Sequence, residues 1–240
     1  MQLLTKKYNF LQENAILGLL FSFSIIEVLA ELFSFKVILF AFRPLVAILL
    51  IYLYWVTSKE RNVFFYMTVF FLLLTSIFIL FESILFLILG LIGIFTHRIL
   101  LIFYIIKLNK IKDFVPILIA IIPFVFIFSY LLSISDEIPK GSYYPLVAQN
   151  MLVSILAGVI LSNYFMNDSN NSPWLAIFGL LSTALYFTVF IEKCFLSNLP
   201  PTYFRPLAMI LYVTSYYSFY RFVIDAETIN AKKESITVIQ

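Results

Sequence analysis

The stretch "FVPILIAIIPFVFIFSYLLSIS", from Phe114 to Ser135, contains no charged residue. The hydrocarbon core of a bilayer is about 30 Å thick, and a helix needs about 20 mostly apolar residues to cross it. Lipid offers no hydrogen bonds to backbone amides, so a run of this kind is expected to form an α-helix. A second uncharged stretch, from Gly141 to Asn167, repeats the pattern. Both stretches predict helices that cross a membrane.

The composition of the whole chain agrees with this prediction. Of 240 residues, 62% are hydrophobic and 12% are charged, and the mean hydropathy is +1.02. Soluble domains usually carry about 25% charged residues. The net charge of +3 is too small and too scattered to indicate a nucleic-acid partner. We therefore predict an all-α, polytopic transmembrane helix bundle.

No sequence motif indicates a cofactor or a metal. Glycine-rich phosphate loops and Cys/His clusters with metal-ligand spacing are both absent from the sequence. The single cysteine, Cys194, cannot form an intrachain disulfide and is expected to be a small packing residue. We expect no cofactor, no metal and no nucleic acid, and the sequence does not predict an oligomeric state.

The apolar runs predict about eight helices in one transmembrane domain that covers residues 15–224. Ser172 should cap the seventh helix, because Pro173 follows it at the first helical position. Residues 1–14 are predicted to be a cytoplasmic segment, and residues 225–240 a polar, poorly ordered tail. The predicted helices cover residues 15–35, 42–57, 63–81, 84–106, 114–135, 145–164, 173–195 and 206–223.

The loops predict the orientation, because cytoplasmic loops carry an excess of Lys and Arg. Eight crossings place both termini on one side of the membrane. On that side lie Lys6, Lys7, Lys59, Arg61, Lys107, Lys110, Lys112, Arg221, Lys232 and Lys233. On the other side lie Lys36, Arg43, Lys140, Lys193 and Arg205. This excess predicts cytoplasmic termini in an integral membrane protein, with the bacterial plasma membrane as the default.

Four ionisable residues lie well inside the predicted spans, namely Glu27, Glu31, His97 and Arg98. Each such group costs about 2.5–3.5 kcal/mol on insertion scales and usually faces the interior of a bundle. Glu27 and Glu31 share one helix face, so either one carboxyl keeps its proton or both share a cation. Arg98 is the expected partner. The alternatives are a structural Arg–Glu clamp and a polar site that binds a lipid headgroup or moves a proton.

Short motifs between Arg43 and Arg221 are similar to those of a known family of membrane proteins. The second helix carries Arg43-Pro44-Leu45, and "LGLIGIFTH" contains Gly90 and His97. The sixth helix opens with a Tyr and a Met seven residues apart, Tyr144 and Met151, and "FGLLSTALYF" in the seventh contains Ser182. In these features the chain resembles the lysoplasmalogenase (YhhN-like) family of eight-helix membrane proteins.

That resemblance implies an enzyme that cleaves the vinyl-ether bond of lysoplasmalogens, releasing an aldehyde and a glycerophospho-alcohol. It further implies a central cavity that holds a single-chain membrane lipid such as a lysophospholipid. The cavity would be lined by Arg43, Ser76, His97, Arg98, Tyr144, Ser182 and Thr183. The two aspartates of the family would fall at about Ser76 and Thr183, where this chain has hydroxyl groups.

The replacement of both aspartates weakens the expected chemistry. Hydration of a vinyl ether needs a proton for carbon and an activated water, which two carboxyls of different pKa can supply. A hydroxyl cannot hold a titratable proton near neutrality. General acid–base catalysis would therefore fall to His97, aided by Glu27, Glu31 or Glu82. We expect lipid binding with weak or lost hydrolysis; the alternative is a small transporter or proton-coupled carrier that uses Glu27 and Glu31.

Overall fold

A computed structural model describes residues 2–81, 83–109, 111, 113–135, 143–166, 172–196 and 204–237. Over these ranges the chain forms eight helices and no strand. The helices are α1 (Gln2–Leu32), α2 (Lys36–Thr57), α3 (Val63–Phe78), α4 (Ile84–Leu108), α5 (Val115–Ser133), α6 (Tyr143–Met166), α7 (Pro173–Cys194) and α8 (Phe204–Thr237).

Seven of the eight helices are long and apolar enough to cross a membrane. In α1 the apolar part is Leu11–Leu32, and in α8 it is Phe204–Lys232. The exception is α3, whose 16 residues extend about 24 Å at 1.5 Å per residue. The prediction of an all-α, polytopic transmembrane protein is confirmed.

The chain divides into two compact units, residues 1–97 and 98–240, and the boundary falls inside α4. In the first unit α1 packs on α2, and α2 packs on α3. The turn between α2 and α3 is fixed by side chains, because the amide of Asn62 donates to the hydroxyl of Tyr54 at 2.9 Å. The Tyr54 ring also stacks on Phe65, with the centroids 3.9 Å apart.

In the second unit α5 packs on α6, α6 on α7, and α7 on α8. Glycines allow two of these pairs to approach closely, as is common in membrane helices. A Cβ atom at Gly158 would lie 3.0 Å from the backbone Cα of Ile121, and one at Gly179 would lie 2.6 Å from Cγ2 of Ile160. The positions of α5, α6 and α7 therefore depend on residues without side chains.

Helix α8 is longer than the eighth helix predicted from the sequence, which ended at residue 223. Helix α8 continues without interruption to Thr237. Residues 225–237 contain Ala, Glu and Lys, which are good helix formers, whereas hydropathy identifies only the part inside the membrane. The tail also packs, because the Asn230 side-chain amide donates to the carbonyl of Leu108 at 3.4 Å. The helix at the other end of the chain, α1, likewise begins at Gln2, well before residue 15.

Helix α7 starts at the predicted position, but Ser172 does not make the predicted capping hydrogen bond. Pro173 occupies the first turn and Ser172 has the extended backbone of an N-cap residue. The Ser172 hydroxyl makes no capping bond; it donates to Oδ2 of Asp225 at 2.7 Å. Ser172 therefore connects the start of α7 to α8.

Candidate functional site

The first unit contains an ion cluster, which we call the triad, formed by Glu27, Glu31 and Arg43. Nε of Arg43 donates to Oε1 of Glu27 at 3.2 Å, and Nη2 of Arg43 contacts Oε1 of Glu31. The Glu27 side chain is 0% exposed. The triad therefore joins α1 to α2 through a charged contact that is almost completely buried.

The turn after α1 explains why these three residues meet. Ser34 adopts a positive φ of 58°, and the amide of Phe35 donates back to the carbonyl of Ala30 at 2.9 Å. The chain reverses there, so α2 returns along α1. Glu27 precedes the turn by about as many residues as Arg43 follows it. Side chains at those positions reach the same level of an antiparallel helix pair.

The partner of the two acids is therefore Arg43, whereas Arg98 was expected from the sequence. The charges alone did not distinguish the two arginines, because both lie within apolar helices. The short connection between α1 and α2 was the signal in the sequence that favoured Arg43. Within the described residues, the second oxygen of Glu27, Oε2, is buried and has no hydrogen-bond partner.

The only histidine, His97, connects α4 to α3 in the first unit. Its Nδ1 atom lies 2.8 Å from the carbonyl oxygen of Thr68, and the residue is 2% exposed. A carbonyl oxygen can only accept, so Nδ1 carries a proton. One helical turn away, a Cβ atom at Gly93 would lie 2.6 Å from Oγ1 of Thr75, so the two helices are close. The ring is therefore held in a helix contact.

The hydroxyl of Ser76, one of the predicted cavity residues, bonds within its own helix. Ser76 Oγ donates to the carbonyl of Leu72 at 2.9 Å, and Thr75 Oγ1 donates to the carbonyl of Phe71 at 2.8 Å. A hydroxyl has one proton to donate. In this arrangement the Ser76 hydroxyl donates its proton to the helix backbone.

The second unit contains Arg98, the cation that was expected from the sequence to pair with the two acids. Arg98 is half-buried, and its Cζ atom lies 4.9 Å from the centroid of the Tyr186 ring on α7. Among the described residues of this unit, no carboxylate forms an ion pair with Arg98. Glu192 on α7 pairs with Arg205, at 3.1 Å. An aromatic face is thus the partner that the described part of the unit provides for this guanidinium.

The Tyr186 ring is itself fixed by α6. Its hydroxyl donates to Oδ1 of Asn150 at 2.5 Å, and Nδ2 of Asn150 donates to the carbonyl of Phe128 at 3.4 Å. Phe128 also packs edge-on against Tyr186, with the centroids 5.2 Å apart. The neighbouring amide of Gln149 is buried and, within the described residues, neither of its polar atoms has a hydrogen-bond partner.

The remaining predicted cavity residues lie at different levels of burial. Tyr144 is 82% exposed, so its ring lies on the outer surface and not in a closed cavity. Ser182 and Thr183 are half-buried on α7, about one turn before Tyr186, and the Ser182 hydroxyl donates to the carbonyl of Gly179 at 3.2 Å. Glu82, proposed as an auxiliary acid, lies outside the described residues.

The sequence reasoning missed Tyr186 and the amides that support it. A signal was available, because Gln149 and Asn150 are consecutive amides inside the uncharged stretch from residue 141 to 167. Polar side chains in membrane helices usually mark helix contacts or sites.

No family model, characterised protein or solved structure matches this chain. The likeness to lysoplasmalogenases therefore stays a prediction.

Proposed function

We propose that this multi-pass membrane protein binds an anionic, single-chain lipid with the lipid headgroup at Arg98. The observation that carries the proposal is the position of this guanidinium over Tyr186, with no carboxylate of the described second unit paired to it. A permanent charge within a membrane helix is costly unless an opposite charge compensates it. An anionic headgroup would supply that charge.

The geometry of the cation–π contact suits this role. The Cζ atom of Arg98 lies over the Tyr186 ring, 4.9 Å from its centroid, and a guanidinium carries five N–H donors in its own plane. Those donors match the spacing of two oxygens of a phosphate or a carboxylate. Because Asn150 and Phe128 hold the Tyr186 ring, the guanidinium has a fixed support before any ligand arrives.

The resemblance to lysoplasmalogenases favours a lipid with one chain, since that family acts on lysolipids. We propose binding with little or no hydrolysis. Ser76 and Thr183 stand where the family has its acids, and the Ser76 hydroxyl donates to its own helix. Neither group supplies the titratable proton that vinyl-ether hydration requires.

Lipid titration of the purified protein in nanodiscs tests the proposal. The ligands share one acyl chain and differ in the headgroup: lysophosphatidic acid, oleic acid, lysophosphatidylcholine and monooleoylglycerol. We expect the two anionic lipids to bind, and Arg98→Gln to weaken them at least tenfold, since charge-assisted hydrogen bonds contribute about 1.5–3 kcal/mol. The comparison of phosphate with carboxylate identifies the preferred headgroup.

The matched control is Arg205→Gln, which removes a half-exposed arginine of the same unit that pairs with Glu192. This variant should bind anionic lipid as the wild type does. Equal binding of the uncharged monooleoylglycerol, or an Arg98→Gln variant that retains wild-type affinity, would contradict the proposal.

A further inference from the structure

We propose that the triad of Glu27, Glu31 and Arg43 is a proton-binding site, with the proton on Oε2 of Glu27. This site belongs to the first unit and does not depend on the lipid proposed at Arg98. It gives α1 and α2 a group whose charge changes when a proton binds.

The charge balance of the triad supports one bound proton. Two ionised carboxylates and one guanidinium carry a net charge of −1. The three residues lie in helices that are apolar enough to cross a membrane, and their side chains are at most 14% exposed. A net charge is costly in such surroundings. One proton makes the triad neutral.

The hydrogen bonds identify the oxygen that binds the proton. Oε1 of Glu27 and Oε1 of Glu31 both accept from the Arg43 guanidinium. Oε2 of Glu27 is buried and, in the part of the chain that the structure describes, makes no hydrogen bond. An ionised oxygen in that position would be without compensation, whereas a protonated carboxyl carries no charge. The proton adds to Oε2 as an O–H group, and no other bond breaks.

The charged groups around Glu27 favour a proton over a metal ion. Among the described residues, Glu31 on α1 and Arg43 on α2 act on it electrostatically, and α2 packs on α1. The positive guanidinium already occupies the space between the carboxylates and would repel a second cation. A proton needs one oxygen, whereas Na⁺ or Ca²⁺ needs several oxygen ligands.

Proton binding gives the pair of helices two charge states. In the protonated state the triad is neutral, and α1 stays packed on α2. Loss of the proton to water leaves a net negative charge in the contact, which favours access of Glu27 to water. This is the property that a proton-coupled carrier requires of an intramembrane acid.

Infrared spectroscopy of the full-length protein in lipid bilayers at neutral pH tests the proposal. A protonated carboxyl has a C=O stretching band separate from that of a carboxylate and shifts on exchange into D₂O. We expect this band in the wild type and its loss in Glu27→Gln, whose amide mimics the protonated acid. The control, Glu192→Gln, should keep the band because Glu192 pairs with the half-exposed Arg205.

Two further variants keep the test decisive if Glu27→Gln does not fold. Glu31→Gln should also remove the band, because Glu27 and Arg43 then balance each other without a proton. Arg43→Gln should increase the band, because neither carboxyl retains a compensating cation. A wild type without the band, or a Glu27→Gln variant that keeps it unchanged, would overturn the assignment.

Discussion

The Nδ1 atom of His97 lies 2.8 Å from the main-chain carbonyl oxygen of Thr68. This hydrogen bond joins α4 to α3 within the first unit. It makes the single histidine a residue that positions two helices, and it orients the imidazole whatever else the ring contacts.

Replacement of His97 should destabilise the protein more if the new residue cannot donate a hydrogen bond to the Thr68 carbonyl than if it can. We expect His97→Ala to lower the free energy of unfolding by about 2 kcal/mol, since a buried hydrogen bond and packing volume are both removed. His97→Asn, which keeps a donor near Nδ1, should lose less. Thermal unfolding in detergent measures both. Equal losses for the two variants would show that the bond to Thr68 contributes little.

Lysoplasmalogen should be a poor substrate because Ser76 and Thr183, where the resemblance implies acids, carry hydroxyl groups. The purified wild type should release aldehyde at a rate close to that of a heat-inactivated control, and His97→Ala should not change this rate. An enzyme-coupled aldehyde assay measures both. Clear turnover by the wild type that disappears in His97→Ala would show that the protein hydrolyses lysoplasmalogen and that His97 takes part.

Two substitutions of Tyr186 distinguish the contribution of its ring to lipid binding from the contribution of its hydroxyl. Tyr186→Phe keeps the ring face but loses the bond to Asn150, so lipid affinity should change by less than about threefold while stability falls by about 1 kcal/mol. Tyr186→Leu loses the ring and should weaken anionic-lipid binding by about three- to tenfold. The lipid titration described above distinguishes them. Equal weakening by both variants would mean that the hydroxyl, and not the ring, supports Arg98.

A side chain at Gly158 should destabilise the protein. A Cβ atom there would lie 2.5 Å from Cγ1 of Ile121 and 3.0 Å from its backbone Cα, and a backbone cannot move as a side chain can. We expect Gly158→Ala to lower the melting temperature clearly, at a cost of about 1–3 kcal/mol. Gly18→Ala is the matched control, because nothing lies within 4 Å of its added Cβ. A Gly158→Ala variant as stable as the control would contradict the close approach of α5 and α6.

The predicted orientation can be measured by cysteine labelling. After Cys194→Ser, single cysteines at the exposed positions Lys36 and Lys59 should react with a membrane-impermeant reagent from opposite sides. We expect Lys36→Cys to be labelled in intact cells and Lys59→Cys only in inverted vesicles. The reverse pattern would place the termini outside the cytoplasm.

The sequence predicts the helices well because membrane helices depend on local composition. Apolar runs and their polar interruptions predicted all eight helices, including the break before Pro173. Hydropathy did not predict the polar end of α8, where helix propensity and packing against Leu108 decide the structure. These residues are polar, yet they are good helix formers.

The partners of the intramembrane charges were harder to predict. Glu27 pairs with Arg43 because a short turn folds α2 back on α1, a three-dimensional relationship that charge and periodicity do not contain. The Tyr186 ring was missed for a related reason. A tyrosine in an apolar helix resembles ordinary core until a cation such as Arg98 is found over its face.

Helix α8 has a practical use in structure determination. Its 34 residues extend about 51 Å, well beyond a hydrocarbon core of about 30 Å. A protein of 27.9 kDa embedded in a micelle offers few features for particle alignment in electron cryomicroscopy. A rigid fusion partner joined in helical phase near Thr237 would turn with the second unit and serve as its fiducial mark.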